Sequence, residues 1–139
     1  MGVSLELANG LLAAYMTGVI WVVQVVHYPL FSMVGAEQWP AYEAAHRRRI
    51  TVVVGLPMLL APIVAGALLA ARPGPLAAIN LALTVGLLLV TVVVFGPLHA
   101  RLESSFSSSA HRRLLRLNAA RTEAWTAQAA VSVALVATG

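Results

Sequence analysis

Four long apolar stretches dominate the sequence, and shorter polar stretches separate them. The apolar stretches cover residues 5–27, 50–71, 76–98 and 114–137. A helix that crosses the ~30 Å hydrocarbon core of a bilayer takes about 20 such residues. The fourth stretch carries Arg116, Arg121 and Glu123 in its first half, so we expect its first turns at headgroup depth or against other helices. The pattern predicts an all-α integral membrane four-helix bundle that forms a single transmembrane domain over residues 1–139.

Composition supports this prediction and removes several kinds of chemistry. The chain is 60% hydrophobic and only 10% charged, whereas a soluble domain is about a quarter charged. It contains no Cys, Lys or Asp. Disulfides, thiolate nucleophiles, Schiff-base lysines and Asp-based motifs are therefore excluded.

The arginines predict an orientation in the membrane. The segment "RPGP", residues 72–75, is expected to form a tight turn between the second and third stretches. The longer polar connections, residues 28–49 and 99–113, then lie on the opposite side. That side collects Arg47, Arg48, Arg49, Arg101, Arg112, Arg113, Arg116 and Arg121, against Arg72 alone on the other. The positive-inside rule predicts a multi-pass protein of the bacterial inner membrane, with both termini on the non-cytoplasmic side. Arginines beside apolar runs favour membrane lipids as partners rather than nucleic acid.

A short internal echo suggests two related hairpins. "HYPLF" ends the first stretch and "FGPLH" the third, while "AHRR" precedes both the second and the fourth. One interpretation is a pair of parallel hairpin repeats.

All four histidines are expected at the cytoplasmic end: His27 ends the first stretch, His46 opens the second helix, His99 ends the third and His111 precedes the fourth stretch. Gln24, His27 and Tyr28 have helical spacing, as have Tyr42, Glu43 and His46. Imidazoles at His27, His46 and His99, with Glu43, are candidate ligands for a transition metal, and such imidazoles also serve as axial haem ligands. The alternative is acid–base catalysis by these histidines, with Arg121 holding an anionic oxygen. His111, in a Ser-rich segment, is predicted to be a solvated loop residue.

The last stretch carries a polar stripe at steps of three and four residues: Asn118, Arg121, Trp125, Gln128 and Ser132. Such a stripe is expected to face the bundle interior, because polar groups are costly against lipid. Gln128 and Ser132, like Asn80, Thr84 and Thr91 of the third stretch, are predicted to join helices to one another. The substrate-binding candidates are Gln24, Tyr28, Tyr42, Asn118 and Trp125.

Several motifs resemble known families. "WVVQVVHYPLF", "YEAAHRRRI", "GPLHARL" and "LNAARTEAWT" resemble a family of small bacterial four-helix membrane proteins. More distantly, their order resembles the anthrone-oxygenase-like membrane proteins, through Pro97 and His99 and through Asn118 and Arg121. That family usually has His where this chain has Asn118. The resemblance implies oxidation of a flat aromatic polyketide without an obvious cofactor. "EAAHRRRI" is superficially similar to the Arg–His segment of membrane glutathione transferases, which are four-helix trimers.

These observations predict a membrane-embedded enzyme that acts on a lipophilic small molecule, of oxygenase or isomerase type. Its catalytic residues would be His27, His46, His99 and Arg121, in a cavity at the cytoplasmic end. One alternative is a non-catalytic haem- or metal-binding protein or a subunit of a larger membrane complex. Another is an enzyme similar to the membrane glutathione transferases. A homo-oligomer is compatible with each.

Overall fold

The computed structural model describes residues 4–138, and within this range it contains four long helical segments and no strand. This confirms the predicted all-α four-helix bundle. The helices, in chain order, are α1 (Leu5–Val22), α2 (Trp39–Ala71), α3 (Pro75–Val90), α4 (Gly96–Ser104) and α5 (Ser108–Ala137). A π-helical turn, Val23–His27, and a 3-10 turn, Pro29–Met33, extend α1, while a π-helical turn, Thr91–Phe95, joins α3 to α4.

The helices close into a ring around a shared core. α1 packs against α2 and α5, and α3 packs against the same two helices from the other side. Met16, Leu87 and Trp125 belong to the buried core between them. Apolar side chains also cover the outside, where Val52 is 82% and Leu56 67% exposed. Exposed apolar residues around a helix bundle are typical of a surface that faces lipid.

Three helical segments are long and apolar enough to cross a membrane: Leu5–Met33, Trp39–Ala71 and Pro75–Ser104. The chain therefore has the character of a membrane protein. α5 has a similar length, but it carries four arginines, Arg112, Arg113, Arg116 and Arg121, and the acid Glu123.

 Arg121 and Glu123 lie near the middle of α5, which leaves α5 a shorter uninterrupted apolar stretch than the other three segments have.

The connections at one end of the bundle are shorter than the sequence predicted. Residues 28–49 and 99–113 were expected to be polar connections, but helix covers most of both ranges. Pro40 lies in the first turn of α2, where a missing N–H costs nothing. Ser107 caps α5, since its hydroxyl accepts from the backbone N–H of Ala110. Tyr28 and residues 34–38 and 105–107 remain outside helices here, and we call this end of the bundle the site end.

The other end is closed by Arg72. The predicted turn is present, because α2 ends at Ala71 and α3 begins at Pro75. Arg72 Nη1 donates to Glu6 Oε1 at 2.8 Å, and Nη2 donates to the carbonyl oxygen of Thr138 at 2.8 Å. One side chain thus ties the turn to the first turn of α1 and to the end of α5.

Four uncharged polar side chains join three helices in the half of the bundle nearer this turn. Asn9, Asn80, Gln128 and Ser132 are each at most 1% exposed, and we call them the amide cluster. Asn80 Nδ2 donates to Asn9 Oδ1 at 2.9 Å, and Gln128 Nε2 donates to Asn80 Oδ1 at 2.9 Å. Asn9 Nδ2 donates to Ser132 Oγ at 2.8 Å. This network joins α1, α3 and α5, as expected of amide groups between membrane helices.

Candidate functional site

Two π-helical turns shape the site end, and each precedes a proline. Pro29 and Pro97 have no N–H, so the regular helical bond to the carbonyl four residues earlier is missing. The residue before each proline bonds five residues back instead, Tyr28 to Val23 and Gly96 to Thr91. The similar motifs "HYPLF" and "FGPLH" therefore mark a π-helical turn before a proline in both the first and the third helical segments. Such wide turns are frequent at functional sites.

A chain of hydrogen bonds joins three buried side chains from three helical segments. The Nδ1 atom of His99 lies 2.5 Å from Glu43 Oε1, and His99 Nε2 lies 2.8 Å from the Tyr28 hydroxyl. Glu43 is 0%, Tyr28 3% and His99 8% exposed. An ionised carboxylate only accepts, so Nδ1 is the donor to Glu43, and a neutral His99 then accepts from Tyr28 at Nε2. The carboxylate thereby sets the tautomer of the imidazole.

A histidine pair lies beside this chain. His27 Nε2 and His46 Nδ1 are 2.8 Å apart, and the rings of His46 and His99 have centroids 5.3 Å apart. His46 is 6% exposed, while His27 is partly exposed. His46 Nε2 and Glu43 Oε2 are buried and have no hydrogen-bond partner. We call His27, Tyr28, Glu43, His46 and His99 the histidine cluster.

His111 corrects one expectation from the sequence. It was predicted to be a solvated loop residue, but it is 7% exposed and lies in the first turn of α5. Its Nε2 atom donates to the carbonyl oxygen of Tyr28 at 2.8 Å. The Ser107 cap starts α5 early enough to bring this imidazole into the bundle. His111 therefore braces the backbone at Tyr28 and does not belong to the histidine cluster.

Arg121 is held from several sides. Its Nε and Nη2 atoms donate to Asn118 Oδ1 at 3.2 and 2.7 Å, and Nη1 donates to Thr91 Oγ1 at 3.3 Å. The guanidinium lies 3.7 Å from the centroid of the Phe95 ring, which is a cation–π contact. Asn118 Nδ2 in turn donates to Gln24 Oε1 at 2.7 Å. Gln24 and Asn118, predicted to bind substrate, are thus engaged with each other and with Arg121.

A cavity of about 210 Å³ connects these groups, and we call it the inner cavity. Its polar lining comes from Tyr28, His46, Arg47, Thr51, Thr91, His99 and Arg121. Met16, Ile20, Met58, Phe95 and Trp125 supply much of its apolar lining. Of the predicted catalytic residues, His46, His99 and Arg121 line this cavity, as do Tyr28 and Trp125 from the predicted substrate-binding set. His27 and Tyr42 do not.

His27 and Tyr42 line a second space on the outside of the bundle. This groove has a volume of about 810 Å³ and runs between the first and second helical segments, so we call it groove 1–2. Val19, Val23, His46 and Ile50 line both groove 1–2 and the inner cavity. Within residues 4–138, these four are the lining residues that the two spaces share.

Thr91 and Phe95 were not among the residues predicted to form a site. Thr91 was assigned to helix packing, yet it accepts from Arg121 and lines the inner cavity. Phe95 packs against the same guanidinium. The signal that could have identified them is the "FGPLH" echo, because the π-helical turn before Pro97 includes both residues.

The predicted metal site is not supported. Among residues 4–138, no group of three or more His, Cys, Asp or Glu side chains is arranged to hold a metal ion. His27, His46, His99 and Glu43 lie close together, but they are hydrogen-bonded in pairs. Those bonds occupy nitrogen and oxygen atoms that a metal would need as ligands. Glu123, the acid in α5, is exposed.

The chain matches no model of a known protein family, and comparison with curated proteins and with solved structures gave no match. The resemblances noted from sequence motifs therefore stay predictions, and function is inferred from the site alone.

Proposed function

We propose that this protein is a membrane-embedded enzyme of isomerase type that moves a proton on a lipophilic carbonyl compound. The observation that carries the proposal is the hydrogen-bonded chain Glu43–His99–Tyr28, which ends at a cavity that Arg121 also lines. Of the two reaction types expected from the sequence, proton transfer is the one that such a chain supports.

Tyr28 would act on the carbonyl oxygen of the substrate. The phenol has one proton, so the Tyr28 hydroxyl, which donates to His99 Nε2 in the free protein, would turn to donate to the carbonyl oxygen when substrate binds. His99, whose ring is fixed by Glu43, holds the phenol at the cavity until then. Arg121, aimed by Asn118 and Phe95, supplies fixed positive charge for an oxygen that becomes negative. Charge that is already oriented stabilises a transition state most where water is excluded.

His46 would act on the carbon next to the carbonyl. When its Nδ1–H donates to His27 Nε2, its Nε2 atom carries a free lone pair, and that atom has no partner in the protein. His46 Nε2 removes the carbon-bound proton, the carbonyl oxygen is stabilised by Tyr28 and Arg121, and the proton returns to the same carbon or to a conjugated one. No electrons leave the substrate, so the step balances without a further reactant.

We also propose an orientation of the chain in the membrane. Eight of the nine arginines come from the site end or from the half of α5 nearest to it. The positive-inside rule then gives a bacterial inner membrane protein with its site toward the cytoplasm and its termini outside it.

Hydrogen–deuterium exchange tests the proposal without knowledge of the natural substrate. The purified protein in phosphatidylcholine nanodiscs is incubated in D2O with a set of probes, long-chain 2-alkanones and long-chain β,γ-unsaturated ketones. Mass spectrometry measures deuterium gained next to the carbonyl, and the ultraviolet spectrum measures double-bond migration. We expect exchange with at least one probe, and a loss of about 10²–10⁴-fold in Tyr28→Phe, the range that general acid–base groups contribute.

Tyr15→Phe is the matched control. The Tyr15 hydroxyl is exposed and donates to the carbonyl oxygen of Val53 at 3.0 Å, away from the inner cavity. We expect Tyr15→Phe to leave the deuterium-exchange rate unchanged. Absence of exchange with every probe, or equal rates in Tyr28→Phe and Tyr15→Phe, contradicts the proposed function.

A further inference from the structure

We propose that groove 1–2 holds the apolar tail of the substrate, which enters sideways from the bilayer with its polar head directed to the inner cavity. The substrate class is then a single-tailed amphiphile. This inference rests on the proposed function for the identity of the head, while the position of the tail follows from the shape of the bundle.

The inner cavity is too small for a whole lipophilic molecule. Its volume of about 210 Å³ lies below the range of about 300–1,000 Å³ that is typical of small-molecule sites. A compact polar head fits beside Tyr28 and Arg121, and any longer tail must leave the cavity.

Groove 1–2 is the space that the tail can enter with the least rearrangement. It shares Val19, Val23, His46 and Ile50 with the inner cavity. His46 is also where a buried ring nitrogen lacks a partner. The groove therefore meets the cavity at the side chain proposed to be the base.

The lining of groove 1–2 has one apolar and one polar end. Gly18, Val22 and Val53 line its deeper part, and His27, Tyr42 and Arg49 line the part nearer the site end. Nine residues of helix separate Gly18 from His27, which corresponds to a length of ~14 Å. A Cβ atom added at Gly18 would meet nothing within 4 Å. The absence of a side chain at Gly18 therefore keeps the deep end of the groove open.

A second groove provides the comparison. It has a volume of about 340 Å³ and lies between α3 and α5, lined by Leu83, Gly86 and Leu117 among others. It meets the inner cavity only at Phe95 and Arg121. The guanidinium stacks on the phenyl ring there at 3.7 Å, so this contact closes the second groove from the cavity.

Photolabelling tests the position of the tail independently of catalysis. The probe is a long-chain 2-alkanone with a diazirine at the end of its tail, bound to the protein in phosphatidylcholine nanodiscs and mapped by peptide mass spectrometry. We expect labels in residues 18–26 and 45–53, and an excess of the unlabelled ketone during irradiation should prevent this labelling. Gly18→Leu should lower this labelling about tenfold, the effect of overfilling a site that the ligand needs.

Gly86→Leu is the matched control, because Gly86 also lies within a helix and an added Cβ would meet nothing within 4 Å. It should leave the labelling of groove 1–2 unchanged, and both variants should keep the melting temperature of the parent protein. Three results would each overturn the inference: labels concentrated at Leu83 and Leu117, labelling that the unlabelled ketone does not prevent, or crosslinks to a second copy of the chain. Labels in groove 1–2 without any deuterium exchange would retain the tail site and reject the proposed chemistry.

Discussion

The bundle contains two buried polar clusters, and they differ in chemistry and in surroundings. The amide cluster consists of uncharged side chains, and none of its members lines the inner cavity or either groove. The histidine cluster contains a carboxyl group, three imidazoles and a phenol, and it adjoins both the inner cavity and groove 1–2. Both clusters satisfy polar groups inside a membrane bundle, but only the second has groups that exchange protons next to an open space.

The clusters also differ in what they leave unpaired. In the amide cluster the unpaired atom is Gln128 Oε1, a weakly basic amide oxygen. In the histidine cluster the unpaired atoms are His46 Nε2 and Glu43 Oε2. An unpaired buried nitrogen or carboxylate oxygen is costly, and at the edge of a cavity a bound molecule can remove that cost. The difference separates a cluster that joins helices from the one that we propose acts on a ligand.

The largest expected effect comes from removing the imidazole at the centre of the chain. His99→Ala should lower the deuterium-exchange rate by about 10²–10⁴-fold, because the Tyr28 hydroxyl is then no longer held at the inner cavity, where it acts on the carbonyl oxygen. Asn80→Ala, at the centre of the amide cluster, should leave that rate unchanged. Comparable rate losses in both variants would remove the distinction between the clusters.

Replacing the guanidinium by an ammonium is expected to have the next largest effect. Arg121→Lys keeps the positive charge but cannot make two bonds to Asn118 Oδ1 together with the contact to Phe95. We expect the exchange rate to fall about 10²-fold through loss of oriented charge. A rate equal to that of the parent protein would show that position 121 needs charge alone.

The sequence predicted the architecture well, because apolar length and turn residues act locally. The helix-breaking segment at residues 72–75 and the direction changes it implies bring His27, His46 and His99 to one end. The two π-helical turns could not be predicted in this way, because they arise where a proline removes a hydrogen bond and tertiary packing absorbs the extra residue. His111 was misassigned for a related reason, since one Ser107 cap decides whether it begins a helix or stays in a loop.

The hydrogen-bond partners within the site also could not be predicted from the sequence. Glu43 was grouped with His46 by helical spacing, yet its hydrogen bond is to His99 on another helix. Tyr28 was predicted to bind substrate, and its bond to His99 gives it a more direct place in the proposed chemistry. Periodicity shows which residues share a face of one helix, but the rotation of neighbouring helices decides which of them meet.

A moderate effect on stability is expected from the amide cluster. Asn80→Ala removes the bonds to Asn9 and Gln128 and leaves the buried Asn9 Oδ1 without its donor. The free energy of unfolding should fall by about 1–2 kcal/mol, measured by reversible unfolding in detergent micelles. Stability equal to that of the parent protein would mean that this network does not hold the helices together.

The smallest effect is expected at the exposed ion pair between Arg47 and Glu103, which joins α2 to α4. Partly exposed ion pairs contribute about 0–1 kcal/mol, so Arg47→Ala should change the free energy of unfolding by less than Asn80→Ala does. The same unfolding measurement checks this order. A larger loss in Arg47→Ala would place the stabilising polar contacts at the site end.

The protonation of His99 tests the central claim most directly. Nitrogen-15 NMR of protein labelled at its histidines, with the His99 signals assigned by their loss in His99→Gln, distinguishes the two ring nitrogens. We predict a neutral ring with its proton on Nδ1, and an Nε2 signal that shifts in Tyr28→Phe but not in Tyr15→Phe. A proton on Nε2, or an Nε2 signal that Tyr28→Phe leaves unchanged, would contradict the chain in which Tyr28 donates to His99 and His99 donates to Glu43.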